Sequence, residues 1–194
     1  MIGSLGSRAR LVLRQPGSAG RGELPEIGDL PEVDFVAYGT RERLSGRVRL
    51  DSARLTDMLN AHDEFLLVDA LAERLPDGGS MVVREFLVRR TELAVVHATG
   101  PRGDRAQRIA TDSHPIALLV GRYLVRGRLH AGRGEDPLVS LRAREAMVPI
   151  TDAEIRFRVA GRVEVEPALT VVVNRDLVAW VRSDDGDDPD HEVP

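Results

Sequence analysis

Residues 44–73, LSGRVRLDSARLTDMLNAHDEFLLVDALAE, pass from strand to turn to helical turn to strand, and the same order of features returns between 123 and 158. That recurrence limits the fold more than any other feature. Leu44, Gly46, Val48 and Leu50 alternate with Arg43, Ser45, Arg47 and Arg49, which is the period of a half-buried strand. The run Asp51-Ser52-Ala53-Arg54 interrupts it, and Thr56 or Asp57 is then placed to cap one helical turn through Met58, Leu59 and Asn60. Phe65 to Leu71 is apolar on both faces apart from Asp69, as expected of a central strand in a small barrel.

In the second copy Val125, Gly127 and Leu129 take the places of Leu44, Gly46 and Val48, with Arg126 and Arg128 again facing outward. Asp136-Pro137-Leu138 is a helix start, with an acceptor at the N-cap and proline at the first helical position. Asp152-Ala153 stands where Asp69-Ala70 stood, and Val171 to Leu177 echoes Leu87 to Leu93. The intervals are 127 − 46 = 81, 152 − 69 = 83 and 177 − 93 = 84, differences that loops absorb. The expected fold is all-β: two tandem five-stranded small barrels, with helical turns only near Met58 and Leu138.

The boundaries follow from composition. Residues 1–30 carry Pro16, Gly17, Gly20, Gly22, Pro25 and Gly28 and read as a disordered leader. Residues 31–100 form the first module, 101–115 a linker around Gly103 and Pro115, and 116–182 the second module. Residues 183–194 hold six acids, Asp184, Asp185, Asp187, Asp188, Asp190 and Glu192, and read as a disordered acidic tail. The Pro76-Asp77-Gly78-Gly79 turn separates two strands of the first module, and Pro167 is expected to break or edge a strand of the second.

Several chemistries are excluded by what the chain lacks. Without cysteine there is no disulfide, thiolate zinc site, iron–sulfur cluster or cysteine nucleophile. Without lysine there is no Walker A lysine, Schiff base or Ser-Lys dyad; all 27 basic residues are arginine, a bias typical of GC-rich bacterial genomes. The histidines at 62, 97, 114, 130 and 191 form no metal-binding spacing, and the nucleophile-elbow pattern is missing. No catalytic, cofactor or metal residue is therefore assigned. Asp57 with Asp69, echoed by Asp136 with Asp152, fits a cap-and-turn role better than paired acid-base carboxylates. Arg47, Arg49, Arg126 and Arg128 on one strand face offer a surface to phosphate, or simply a solvated face. No apolar run is long enough to span a bilayer and no signal peptide is recognisable, so a cytoplasmic protein without membrane contact is expected.

Gly46-x-Val48, Asp57-x-x-Asn60 and Asp69-Ala70-x-x-Glu73 together resemble the Sm1 motif of the Sm and Sm-like family, five-stranded barrels that commonly assemble into rings and bind RNA. The resemblance covers about 60 residues per copy and implies a uridine pocket at Asp57, Asn60 and Arg90. Thr91 stands where that family carries a glycine after the arginine, and the interval from Gly46 to Asp57 is longer than the family's. The chain also resembles tandem β-barrel proteins of bacteria. A non-enzymatic binding or assembly module is the first reading, with an RNA-binding protein as the alternative and an enzyme of unrecognised type as the third. Either module alone is near the lower size limit for a stable core and lacks cross-links. The strands Leu93 to Val96 and Leu177 to Val181, with Leu93, Val95, Leu177 and Trp180, are therefore expected to form an interface between the modules or in a homo-oligomer; otherwise a protein partner covers them.

Overall fold

The computed structural model describes residues 30–101 and 110–184; the leader to residue 29, residues 102–109 of the linker and the tail from residue 185 lie outside the described residues. The chain is all-β. The first half runs β1 (Glu32–Gly39), β2 (Glu42–Arg49), α1 (Leu55–Ala61), β3 (Glu64–Arg74), β4 (Ser80–Arg89), a 3-10 turn (Arg90–Glu92) and β5 (Leu93–His97). The second half follows the same succession: β6 (Thr111–Val120), β7 (Tyr123–Gly132), α2 (Pro137–Ala143), β8 (Met147–Val159), β9 (Arg162–Asn174), a 3-10 turn (Arg175–Leu177) and β10 (Val178–Ser183).

The strands form one antiparallel ten-stranded sheet in the order β10-β6-β7-β8-β9-β5-β1-β2-β3-β4, which does not close on itself. Its two halves meet where Val95 pairs with Val173, Val96 with Val172 and His97 with Val171. Each half buries its own cluster of side chains, and the clusters interlock across this seam. Met147 and Val172 of the second half belong to the core of Phe35, Leu44, Leu59 and Phe65, while Tyr38, Leu75, Ala94 and Val95 belong to the core of Ile116, Val125, Ile150 and Ile155.

Gly46 and Gly127 mark matching irregularities in the two halves. At each the register of β2 on β3, or β7 on β8, shifts by a bulge, and the opposing strand carries Asp69 or Asp152 with φ of 50° or 48°. An added Cβ at Gly46 would lie 3.0 Å from Val68 O, and one at Gly127 would lie 2.9 Å from Thr151 O, so the strands approach closely only because these residues are glycine.

Several local expectations are corrected. α1 starts after Arg54, which makes no side-chain cap bond, and Thr56 and Asp57 lie inside the helix. Asp57 still favours the helix dipole from the first turn. α2 begins as expected, with Asp136 Oδ1 accepting from Leu138 N and Val139 N. β3 is not buried on both faces: its residues alternate, and Leu66 and Leu71 are 50% and 40% exposed. Pro167 does not break β9, which is continuous and pairs Pro167 with Glu154. The edge expected there is found instead: β5 joins β9 only at 171–173, so among the described residues the missing proline N–H falls where β9 has no second neighbour. β6 begins at Thr111, inside the stretch read as linker.

Candidate functional site

The seam is the most elaborated feature of the molecule. β1 delivers Tyr38 into the second half, where its ring packs edge-on against Tyr123 and Phe157 at centroid distances of 5.4 and 5.1 Å. The Tyr38 hydroxyl donates to Glu166 Oε2 at 2.5 Å, and Arg43 Nη2 donates to Glu166 Oε1 at 3.2 Å. His97 Nε2 lies 3.2 Å from the same hydroxyl. Because Tyr38 spends its one proton on Glu166, His97 must present Nε2–H to the phenol oxygen. In return, the Tyr123 hydroxyl donates to Gly39 O at 2.5 Å.

Burial, followed by the Glu166 hydrogen bond, raises the Tyr38 pKa far above the ordinary tyrosine value, and burial does the same to Tyr123. Burial lowers the pKa of His97, although Glu166 opposes it. At neutral pH the cluster therefore holds two protonated phenols and a neutral imidazole around an ion-paired carboxylate. That arrangement fastens the halves together. A cavity of about 170 Å³ beside it is lined by Arg43, Glu73, Phe157 and Glu164 to Glu166.

The residues implied as a uridine pocket are divided. Asn60 and Arg90 do converge, since Arg90 Nη1 donates to Asn60 O at 3.1 Å, but both side chains are already engaged, that of Asn60 across the seam and that of Arg90 within the first half. Asn60 Nδ2 donates to Met147 O at 3.0 Å, Met147 N donates to Asn60 Oδ1 at 2.9 Å, and Arg90 Nη2 is ion-paired with Asp63 at 2.6 Å. Asn174 completes the fastening by donating to Arg90 O at 3.1 Å. Asp57 stands apart on the exposed side of α1. The second half repeats one of these contacts: Arg175 Nη1 donates to Arg142 O at 3.0 Å, as Arg90 does to Asn60 O.

The outward arginines are engaged locally. Arg47 bonds Asp69 and Glu32, which raise its pKa in that order, Arg49 pairs with Glu32, Arg126 with Asp184, and Arg128 donates to Ser113 Oγ. Among the described residues no three His, Cys, Asp or Glu side chains are grouped as metal ligands, and no helix is long and apolar enough to cross a membrane.

The four residues expected at an interface are separated. Leu93 and Val95 lie in β5 at the seam, fully buried, whereas Leu177 ends the 3-10 turn before β10 and Trp180 lies in β10, at one edge of the sheet. The other edge is β4, where Met81, Val82 and Leu87 are 54%, 81% and 57% exposed. Beside it a groove of about 400 Å³ is lined by Glu42, Leu44 and Phe86 to Arg89. Sequence reasoning missed Tyr38, Tyr123, His97, Glu166 and Asn174. A local signal existed only for the tyrosines, the sole two in the chain, each beside a hairpin turn. Comparison with family models, curated proteins and solved structures finds no match.

Proposed function

We propose that the chain is a non-enzymatic assembly module: two Sm-like five-stranded barrels fused edge to edge, which take up further polypeptide by extending their sheet. The strand orders β5-β1-β2-β3-β4 and β10-β6-β7-β8-β9 support a duplicated unit, as do the matching glycine bulges and the matching arginine-to-helix contacts. The observation that carries the reading is the seam itself. Within one chain an edge strand of one half is joined to an edge strand of the other with all of Val95, Val96, Val172 and Val173 buried, while among the described residues the outermost β4 keeps Met81, Val82 and Leu87 exposed and the outermost β10 keeps Ala179 exposed and Val178, Trp180 and Val181 half-buried. Unpaired, apolar edges are retained where another chain is to be added.

RNA is the weaker ligand in this reading. Asn60 offers its amide to Met147 and Arg90 its charge to Asp63, so neither is disposed toward a base. Two measurements on the full chain test the proposal: sedimentation velocity over a concentration series, and anisotropy of labelled oligo-uridine at low salt. Mass above that of one chain, with no oligo-uridine bound, is expected. A chain that stays monomeric at every concentration, or binds oligo-uridine with steep salt dependence, refutes it.

A further inference from the structure

We propose that the β4 edge of one copy receives β10 of a second copy, in the register that joins β9 to β5 inside the chain. The inference rests on the assembly reading and names its partner. Its basis is that each side of the inner seam has an uncovered counterpart at an outer edge. Trp180 pairs with Leu119 as Val95 pairs with Tyr38, which makes β10 the counterpart of β5. Phe65, Leu66 and Leu67 pair with Val88, Leu87 and Phe86 as Val148, Pro149 and Ile150 pair with Val173, Val172 and Val171, which makes β4 the counterpart of β9. Transferring the seam outward sets Trp180 opposite Val88, Val181 opposite Leu87 and Arg182 opposite Phe86 of the neighbouring copy.

Burial differs between the counterparts. Leu93, Ala94, Val95 and Val96 are all buried, whereas of Val178, Ala179, Trp180 and Val181 none is, and Ala179 is exposed. Val171 to Asn174 are all buried, whereas of their counterparts only Val88 is buried, Phe86 is half-buried, and Leu87 and Arg89 are exposed. The groove beside β4 fits the same correspondence. Its Leu44, Phe86 and Val88 stand where Val125, Val171 and Val173 of the second half share a buried core with Tyr38. The copy that fills this groove would bring Leu119, the counterpart of Tyr38.

The side chains that differ between the inner seam and the outer joint differ in compensating ways. At the seam the Tyr38 hydroxyl meets Glu166; at the joint Leu119 meets Met81, so a polar pair is replaced by an apolar one. At the seam Asn60 binds Met147; at the joint exposed Arg142 takes the place of Asn60 and Glu64, paired with Arg89 in its own chain at 3.2 Å, that of Met147, which sets opposite charges facing each other. A contact between unlike surfaces leaves one edge open on each side, so copies add head to tail into a series of more than two, open-ended or closed into a ring.

Leu87→Glu and Ala179→Glu test the joint, because both positions are exposed in the single chain and neither substitution disturbs its core. The wild-type chain is expected to sediment as a species of more than two copies, and each variant alone as a monomer with the wild-type circular dichroism spectrum. An equimolar mixture of the two variants is expected to double in mass and stop there, since it holds one intact β4 edge, one intact β10 edge and two acidic ends that repel. Should Leu87→Glu lose its native spectrum, Met81→Glu, at a position 54% exposed on the same strand, replaces it. An associated wild type whose mass neither variant changes, or a mixture that stays monomeric, overturns this joint and leaves the assembly reading standing. A monomeric wild type overturns both.

Discussion

Asn60 and Met147 are 87 positions apart, yet the Asn60 amide brackets the Met147 backbone, donating to its carbonyl at 3.0 Å and accepting from its N–H at 2.9 Å. A side-chain amide matches a peptide group in this way only when the helix end carrying Asn60 and the start of β8 are held in fixed relation. Asn60→Ala leaves both Met147 groups without these partners. The expected cost is about 2 kcal/mol, from two hydrogen bonds lost beside a buried residue. In a domain of this size that lowers the melting temperature by about 4–8 °C. Differential scanning calorimetry checks it.

Arg90 gives a second prediction, which separates a fastening role from an RNA role. Its guanidinium is 25% exposed and reaches both Asn60 O and the largely exposed Asp63 carboxylate. Arg90→Ala is expected to cost about 1–2 kcal/mol, most of it from the carbonyl contact, because an exposed carboxylate adds little. The urea midpoint should fall with an unchanged slope. Oligo-uridine anisotropy should be indifferent to the substitution.

The limits of sequence reasoning can be placed residue by residue. Period-two alternation located the strands because one face of each is covered, and Asp136-Pro137 located α2 because its cap acts within three residues. The apolar run from Phe65 to Leu71 was misleading: Leu66 and Leu71 face outward, and alternation cannot be seen when both faces are apolar. β5 and β10 are nearly the same in local character, so nothing in either indicates that β9 covers one and not the other. Tyr38 and Glu166 are joined across 128 positions, a pairing set by the register of several intervening strands.

A third prediction concerns pH. His97 has a folded pKa below its ordinary 6.5, chiefly through burial, with Glu166 opposing and Arg43 adding to the shift. An unfolded chain therefore takes up a proton that the folded chain refuses, and stability present above pH 6.5 is lost as pH falls below it. Tyr38 and Tyr123 are shifted upward by burial, so the folded chain keeps protons that an unfolded chain releases near pH 10. Stability is accordingly present below pH 10 and is lost as pH rises beyond it. His97→Gln should flatten the acid limb of the melting profile, and Tyr38→Phe the alkaline one. Unchanged limbs would remove these residues from the pH response.

The last prediction returns to the two glycines at which the strand registers shift. An added methyl at Gly127 would lie 2.6 Å from Ile150 Cγ2 and 2.9 Å from Thr151 O, contacts with a fully buried side chain and with backbone. At Gly46 the nearest atoms are Val68 O at 3.0 Å and Ala70 Cα at 3.2 Å, and no side chain is so close. Overpacking of this kind costs about 1–3 kcal/mol, because neighbouring atoms must leave their preferred positions. Gly127→Ala is expected toward the top of that range and Gly46→Ala toward the bottom. At Gly127 both a buried isoleucine and a strand carbonyl must move, and Ile150 is part of the core that also holds Tyr38. Gly127→Ala should therefore loosen the seam as well as its own strand pair, seen as faster hydrogen exchange at Val95 and Val96. Gly46→Ala should leave those amides protected. Equal losses of stability from the two substitutions, with the seam amides unaffected in both, would show that Ile150 moves aside without disturbing Tyr38.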